Sequence, residues 1–233
     1  MGTMPDHLSA LQLILSGDPA LLAIVRLSLG VSLAAVALAS AIGMPLGALL
    51  ALTHFRGRAV LVVLLNAMMG LPPVVVGLAL YLLLSRAGPL GELGILFTPT
   101  AMVIAQTVLI VPIIAALTRQ TVEDLWVEYH DELRAMNVGA LGRMTTLLWD
   151  ARFSLLTALL AGFGRAAAEV GAVMIVGGNI AGFTRTMTTT VALETSKGNL
   201  PLAMGVGAIL IVIVLAINAA AWGTRVWSQR VTG

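Results

Sequence analysis

The sequence has 233 residues, of which 59% are hydrophobic and 10% charged, with a formal net charge of +2 and a mean hydropathy of +1.00. An ordinary soluble domain carries about 25% charged residues, so this composition excludes that class and predicts an all-α integral membrane protein. The chain has no cysteine, which excludes a disulfide and a thiolate metal site.

Long runs of low charge define the predicted elements. A helix needs about 20 apolar residues to cross the hydrocarbon core. Five transmembrane helices are predicted over 24–53, 59–85, 96–118, 153–176 and 200–224. They are read as helices because a lone segment in lipid can satisfy its backbone in no other way. The first span is expected to stay uncleaved, since it is long, lacks a basic leader and is followed by four more. With no internal repeat or linker, residues 1–233 read as one domain, and no further C-terminal domain is expected. Pro72–Pro73 and Pro112 are expected to interrupt spans two and three. Gly43, Gly47, Gly205 and Gly207 are expected to allow close helix packing.

Cationic residues near span ends favour the cytoplasm. If the spans alternate, Arg56, Arg58, Arg119, Arg134, Arg143, Arg152, Arg225 and Arg230 share one side. Arg26, Arg86, Arg185 and Lys197 share the other. The asymmetry predicts an external N-terminus and a cytoplasmic C-terminus; Asp6 and Asp18 do not oppose it. The longest inside segment, 120–150, is then a cytoplasmic loop. Its stretch 123–132 carries five acidic residues, Glu123, Asp124, Glu128, Asp131 and Glu132.

From about Val122 to Met144 this loop suits short helices. Leu133, Met136 and Ala140 recur at helical spacing, Asp131, Arg134 and Asn137 fall on another face, and Gly139 sits where a helix would end or turn. Such a helix could lie on lipid, brace the bundle or dock into a partner's groove. The acidic residues argue against an anionic lipid surface, which attracts basic helices.

Away from the span ends, only span four carries charges, Arg165 and Glu169. Their i,i+4 spacing would place them on one helical face, where they could pair. Ionisable residues inside a span suggest function; the alternative is a self-neutralising pair that locks helices together. The stretch Gly177–Thr190, "GGNIAGFTRTMTTT", follows. Its glycines permit close backbone approach to an anion, and Asn179, Thr184, Thr186, Thr188, Thr189 and Thr190 add polar side chains. It reads either as a pathway lining or as an ordinary Gly/Thr-rich loop. His7, His54 and His130 are scattered, so no metal site is expected, and no nucleic-acid partner is expected. The sequence has no Gly-x-x-x-x-Gly-Lys-[Ser/Thr] loop, and its only lysine is Lys197.

The stretch "RAMNVGA" resembles the Glu-Ala-Ala-x-x-x-Gly loop of ABC importer permeases. If Gly139 is the motif glycine, Ala135 is its second alanine, Arg134 replaces the first, and Glu132 stands one place early. Met68–Gly91 and Phe97–Ile114 resemble the molybdate/tungstate/sulfate branch, and Asp150–Leu200 is most similar to tungstate-type permeases. The resemblance covers the chain from span one onward. It implies a type I importer-like fold with a cytoplasmic coupling helix and transport of an oxyanion, tungstate, with molybdate and sulfate as alternatives. It implies a homodimer in a bacterial or archaeal cell membrane, with two ATPase subunits inside and a solute-binding protein outside. No cofactor is expected on this chain; ATP and magnesium would belong to the ATPase. Glu132, Arg134, Ala135 and Gly139 would couple to that ATPase. Arg165, Glu169, Asn179, Thr186, Thr188 and Thr189 would serve the translocation pathway or gate. An ATP-independent secondary transporter would instead predict an inverted repeat or more intramembrane carboxylates.

Overall fold

The structure, a computed structural model, describes residues 18–232, with side chains through Gly223. Segment 1–17, with Asp6 and His7, and the Arg225 and Arg230 side chains that enter the charge asymmetry lie outside the described residues. Nine α-helices are described: α1 (Pro19–Leu52), α2 (Arg58–Met69), α3 (Pro73–Leu84), α4 (Pro99–Ala135), α5 (Ala140–Asp150), α6 (Arg152–Ala167), α7 (Gly171–Gly177), α8 (Met187–Ser196) and α9 (Leu200–Thr232). A short 3-10 turn covers Gly91–Leu93. Among the described residues three helices, α1, α4 and α9, are long and apolar enough to cross a membrane. The number rises to five if α2 with α3 and α5 with α6 each count as one broken span.

Local sequence accounts for several boundaries. Asp18 precedes Pro19, and its Oδ1 accepts the Ala20 N–H at 2.7 Å, so α1 begins with an acidic cap and a proline in the first helical position. Pro73 likewise opens α3. Span two is therefore broken at residues 70–72, as its proline pair predicts. Pro112 does not interrupt span three: it lies inside the unbroken α4. One lost backbone donor in a 37-residue helix that packs well is tolerated.

Two further expectations are corrected. The helix of span three does not stop near residue 118; α4 runs on to Ala135 and takes up most of the acidic segment that was expected to form short helices. Span four is not a single helix over 153–176. Helix ends at Ala167 and resumes at Gly171.

Contacts divide the chain into two compact units, each assembled from separate stretches of sequence. The first comprises Met1–Leu33, Pro73–Ala105 and Ala167–Ala220. Within it α3 and α7 meet closely: a Cβ on Gly77 would lie 2.7 Å from the Ala172 Cα, and one on Gly177 would lie 2.9 Å from Met102 Sδ. The Phe97 N–H donates to Val176 O at 2.8 Å. Ala101, Met102, Val173, Val176, Met187 and Val206 are buried here.

The second unit comprises Ala34–Pro72, Gln106–Ala166 and Ala221–Gly233. Its α1 and α4 segments touch backbone to backbone. A Cβ on Gly47 would fall on Ala115 O and lie 2.9 Å from Arg119 N, and one on Gly43 would lie 3.1 Å from Val111 O. These two glycines serve as the sequence predicts. Gly207 does not, since nothing described lies within 4 Å of a Cβ built there. Ala48, Ala51, Val122, Leu133 and Leu147 form a buried cluster at one end of this unit.

Gly47→Ala should therefore overpack the α1–α4 contact and lower stability by about 1–3 kcal/mol, whereas Gly207→Ala should leave it unchanged. Denaturation of the detergent-solubilised protein measures both, and equal stability of the two variants would contradict the close approach at Gly47.

Candidate functional site

In the first unit the polar residues converge on residues 168–190. Glu169 is 3% exposed and lies outside helix, between the end of α6 and the start of α7. Its Oε1 accepts the Ala172 N–H at 2.9 Å and so satisfies one free donor of the first turn of α7. Its backbone carbonyl accepts from Thr188 Oγ1 at 2.8 Å. The break in the helix thus exposes polar backbone that side chains re-satisfy, the condition for irregular backbone at membrane depth.

Thr186 caps α8. Its Oγ1 accepts the Thr189 N–H while Thr189 Oγ1 accepts the Thr186 N–H at 2.9 Å, a reciprocal box. Thr190 Oγ1 donates to Thr186 O at 2.6 Å. Thr184 Oγ1 donates to Gly177 O and accepts the Ile180 N–H at 2.9 Å. Met187 N–H donates to Ser28 Oγ at 2.8 Å, which ties the start of α8 to α1. The hydroxyls that the sequence offers as donors for a passing anion are therefore engaged in holding the loop and the α8 cap.

Asn179 adopts a left-handed conformation, φ 50°. Its carbonyl accepts a long bond of 3.4 Å from Arg185 Nη2, and its side-chain Oδ1 is buried with no partner among the described residues. Arg185 was missed as a site candidate. The signal available was a cation inside a Gly/Thr-rich loop.

In the second unit Arg165 is half-buried on the last turn of α6, where a cation opposes the negative end of the helix dipole. The i,i+4 stacking of Arg165 with Glu169 on one helical face is corrected, because the helix ends two residues before Glu169. Close by in sequence, Ala166 O accepts from the buried Gln106 Nε2 at 3.0 Å.

The same unit builds the turn after α4. Asn137 N–H donates to Arg134 O at 2.9 Å and Val138 N–H to Leu133 O at 3.1 Å, with Asn137 at φ 51°. This is a Schellman ending with asparagine in the left-handed position, and Val138 packs on the buried Leu133 as that motif favours. Gly139 is not the helix terminator. It is the extended cap before α5, with φ −67° and ψ 165°, and nothing lies within 4 Å of a Cβ placed on it.

Glu132, Arg134 and Ala135 occupy the last turn of α4 and are exposed. The expected apolar stripe is split: Leu133 is buried, while Met136 is 74% exposed and Ala140 is exposed. Leu141 beside them is also exposed. Glu123, the first acidic residue of the segment, has a different task. It bridges Arg58 and Arg119, and Arg58 Nε donates to Leu50 O at 2.7 Å. The i,i+4 spacing of Arg119 and Glu123 was the legible half of this network. Among the described residues no group of three or more His, Cys, Asp or Glu could hold a metal ion.

Glu169→Ala should remove the acceptor of the Ala172 N–H and cost about 1 kcal/mol, as the loss of a cap does. Glu169→Gln keeps an acceptor oxygen and should retain most of that stability. Thermal unfolding in detergent compares the two; equal losses would show that the charge of Glu169, not its capping oxygen, holds this turn.

No family model matches the chain. Its curated relatives are close. It is 41% identical over 204 residues to a probable anion ABC transporter permease protein of Haloferax volcanii, covering 85% of this chain and 88% of the relative. It is 39% identical to the tungstate uptake system permease protein TupB of Peptoclostridium acidaminophilum, covering 91% of this chain and 92% of that one. The TupB protein of Campylobacter jejuni is 36% identical, with 71% and 69% covered. With apolar helices that can cross a bilayer and identity sustained over most of its length, the chain belongs to the family of anion ABC transporter permease proteins, multi-pass membrane subunits of ABC transporters.

Proposed function

We propose that this chain is the membrane subunit of an importer that carries a tetrahedral oxyanion, tungstate, into the cell. The observation that carries the reading is the near full-length similarity to two tungstate uptake permeases. Residues 1–233 act as one permease domain and work as a homodimer. Two ATPase subunits bind ATP and magnesium on the cytoplasmic side, and a solute-binding protein delivers the anion from outside. The loop Gly88–Gly94 and the segment Gly182–Lys197, which includes α8, receive that protein. A dianion cannot cross hydrocarbon bare, and a conduit must bind weakly enough to release. Arg165 supplies positive potential to the pathway. Glu169, Thr186, Thr188 and Thr189 act on it through the backbone they hold, and Asn179 lines its loop.

The ATPase docks on the turn between α4 and α5. Glu132, Arg134, Ala135, Met136 and Leu141 are exposed around Gly139, and the buried cluster of Ala48, Val122, Leu133 and Leu147 braces the turn from behind. This arrangement gives a rigid lever with a small residue at its tip.

Purified transporter in liposomes, with its ATPase and binding protein, should take up tungstate, and tungstate should compete better than molybdate or sulfate. Stronger competition by either of the other anions would reassign the substrate. Because the chain itself leaves space at Gly139, Gly139→Trp should preserve folding but abolish ATPase co-purification and uptake. Unchanged uptake would refute docking at this turn.

The orientation follows from the charge asymmetry. Single cysteines at Ser9 and Ser228 in this cysteine-free chain should react differently with an impermeant reagent in intact cells, Ser9→Cys strongly and Ser228→Cys weakly. The reverse pattern would invert the topology.

A further inference from the structure

The corner between α5 and α6 carries a group of side chains that the transport reading does not use. The two helices meet at 75° around Ala151. From Phe153 to Ala167 the second helix is apolar apart from Arg165, Ser154 and Thr157, so it is the limb that enters the membrane. The first helix carries Arg143, Thr145, Thr146 and Asp150 and stands at 75° to the second.

One face of α5 is covered by its own chain: Leu147 is fully buried, with Met144 and Leu148 packed against the same cluster. The other face is open. Trp149 at its end is 69% exposed. The Arg152 guanidinium lies 5.0 Å from the Trp149 ring and 4.5 Å from the Phe153 ring. Its Nη1 donates to Trp149 O at 2.8 Å. The remaining guanidinium N–H groups point from an exposed residue and have no acceptor among the described residues.

We infer that Trp149 and Arg152 form an anchor for the headgroup layer of the bilayer, with the indole seated among the headgroups and Arg152 donating to an anionic lipid phosphate. Tryptophan favours this depth because its ring is apolar and its N–H polar. A guanidinium that already stacks on two rings is held in place for bidentate phosphate contact. Charge complementarity and continuity with the membrane limb select lipid over protein as the occupant. Trp149 also stands eight residues, about 12 Å along the axis, beyond Leu141, so the anchor is separate from the turn that holds Gly139. The inference rests on the membrane-spanning character of the family and not on ATPase docking.

The full-length permease and its Trp149→Phe variant are placed in nanodiscs of phosphatidylcholine with phosphatidylglycerol. Bromine is carried near the headgroup on one lipid at a time. The difference in emission between the two proteins reports Trp149. Brominated lipid should quench it, brominated phosphatidylglycerol more than brominated phosphatidylcholine. That preference should vanish in Arg152→Gln, and the quenching should persist when the ATPase is added. Absence of quenching, or its removal by the ATPase, would overturn the anchor and assign the face to protein. Equal quenching by the two lipids in the parent would overturn the phosphate contact. None of these outcomes depends on transport.

Discussion

Glu169 holds both a backbone donor and a side-chain hydroxyl at a point where the chain leaves helical geometry: its carboxylate takes the Ala172 N–H, and its carbonyl takes the Thr188 hydroxyl. In a chain built largely of apolar helices, every interruption exposes backbone groups that lipid cannot satisfy. The side chains that close such a break must be polar, buried and accurately placed. That requirement links the polar residues of the first unit. Thr188 reaches Glu169 because Thr186 and Thr189 lock the start of α8. Met187 is fixed in turn by Ser28 on α1. Gly77 lets α3 approach Ala172 closely enough to hold α7 in position.

The same constraint changes the meaning of the threonine-rich loop. As sequence, it offers a row of hydroxyl donors to a passing anion. As structure, the hydroxyls of Thr184, Thr186, Thr188, Thr189 and Thr190 bond to the protein itself. A group that already donates to a carbonyl can still accept, but an anion needs donors. These bonds fix the backbone of the loop and the start of α8.

The second unit is held by close helix contacts and an ion-pair network. The α1–α4 contact is close because Gly43 and Gly47 remove side chains from the interface. The Arg58–Glu123–Arg119 network ties the start of α2 to α4. The α4–α5 turn has its carbonyls capped by Asn137 and Val138 and its apolar side closed by Leu133 and Leu147. The turn is thus braced by its own hydrogen bonds and by apolar contacts to α1 and α5.

The sequence by itself determined the membrane class, the helical content, the family and the break at Pro72–Pro73, because composition, run length and proline act locally. The charges of Glu132 and Arg134 were readable along one dimension, but the exposure of Met136 and Leu141 beside the buried Leu133 was not. The tertiary structure decided the rest. Periodicity could not reveal that α4 continues to Ala135 or that span four stops at Ala167, since nearby residues suit a helix in both places. In the gap between α6 and α7 the Glu169 carbonyl is taken by Thr188, nineteen positions away along the chain. Asn137 replaces Gly139 as the helix terminator because the hydrogen bonds to Leu133 and Arg134 and the burial of Leu133 favour the left-handed turn there. The Asn137 turn closes within a few residues, but the burial of Leu133 against Ala48, Ala51 and Leu147 rests on residues distant in sequence, which no local pattern encodes.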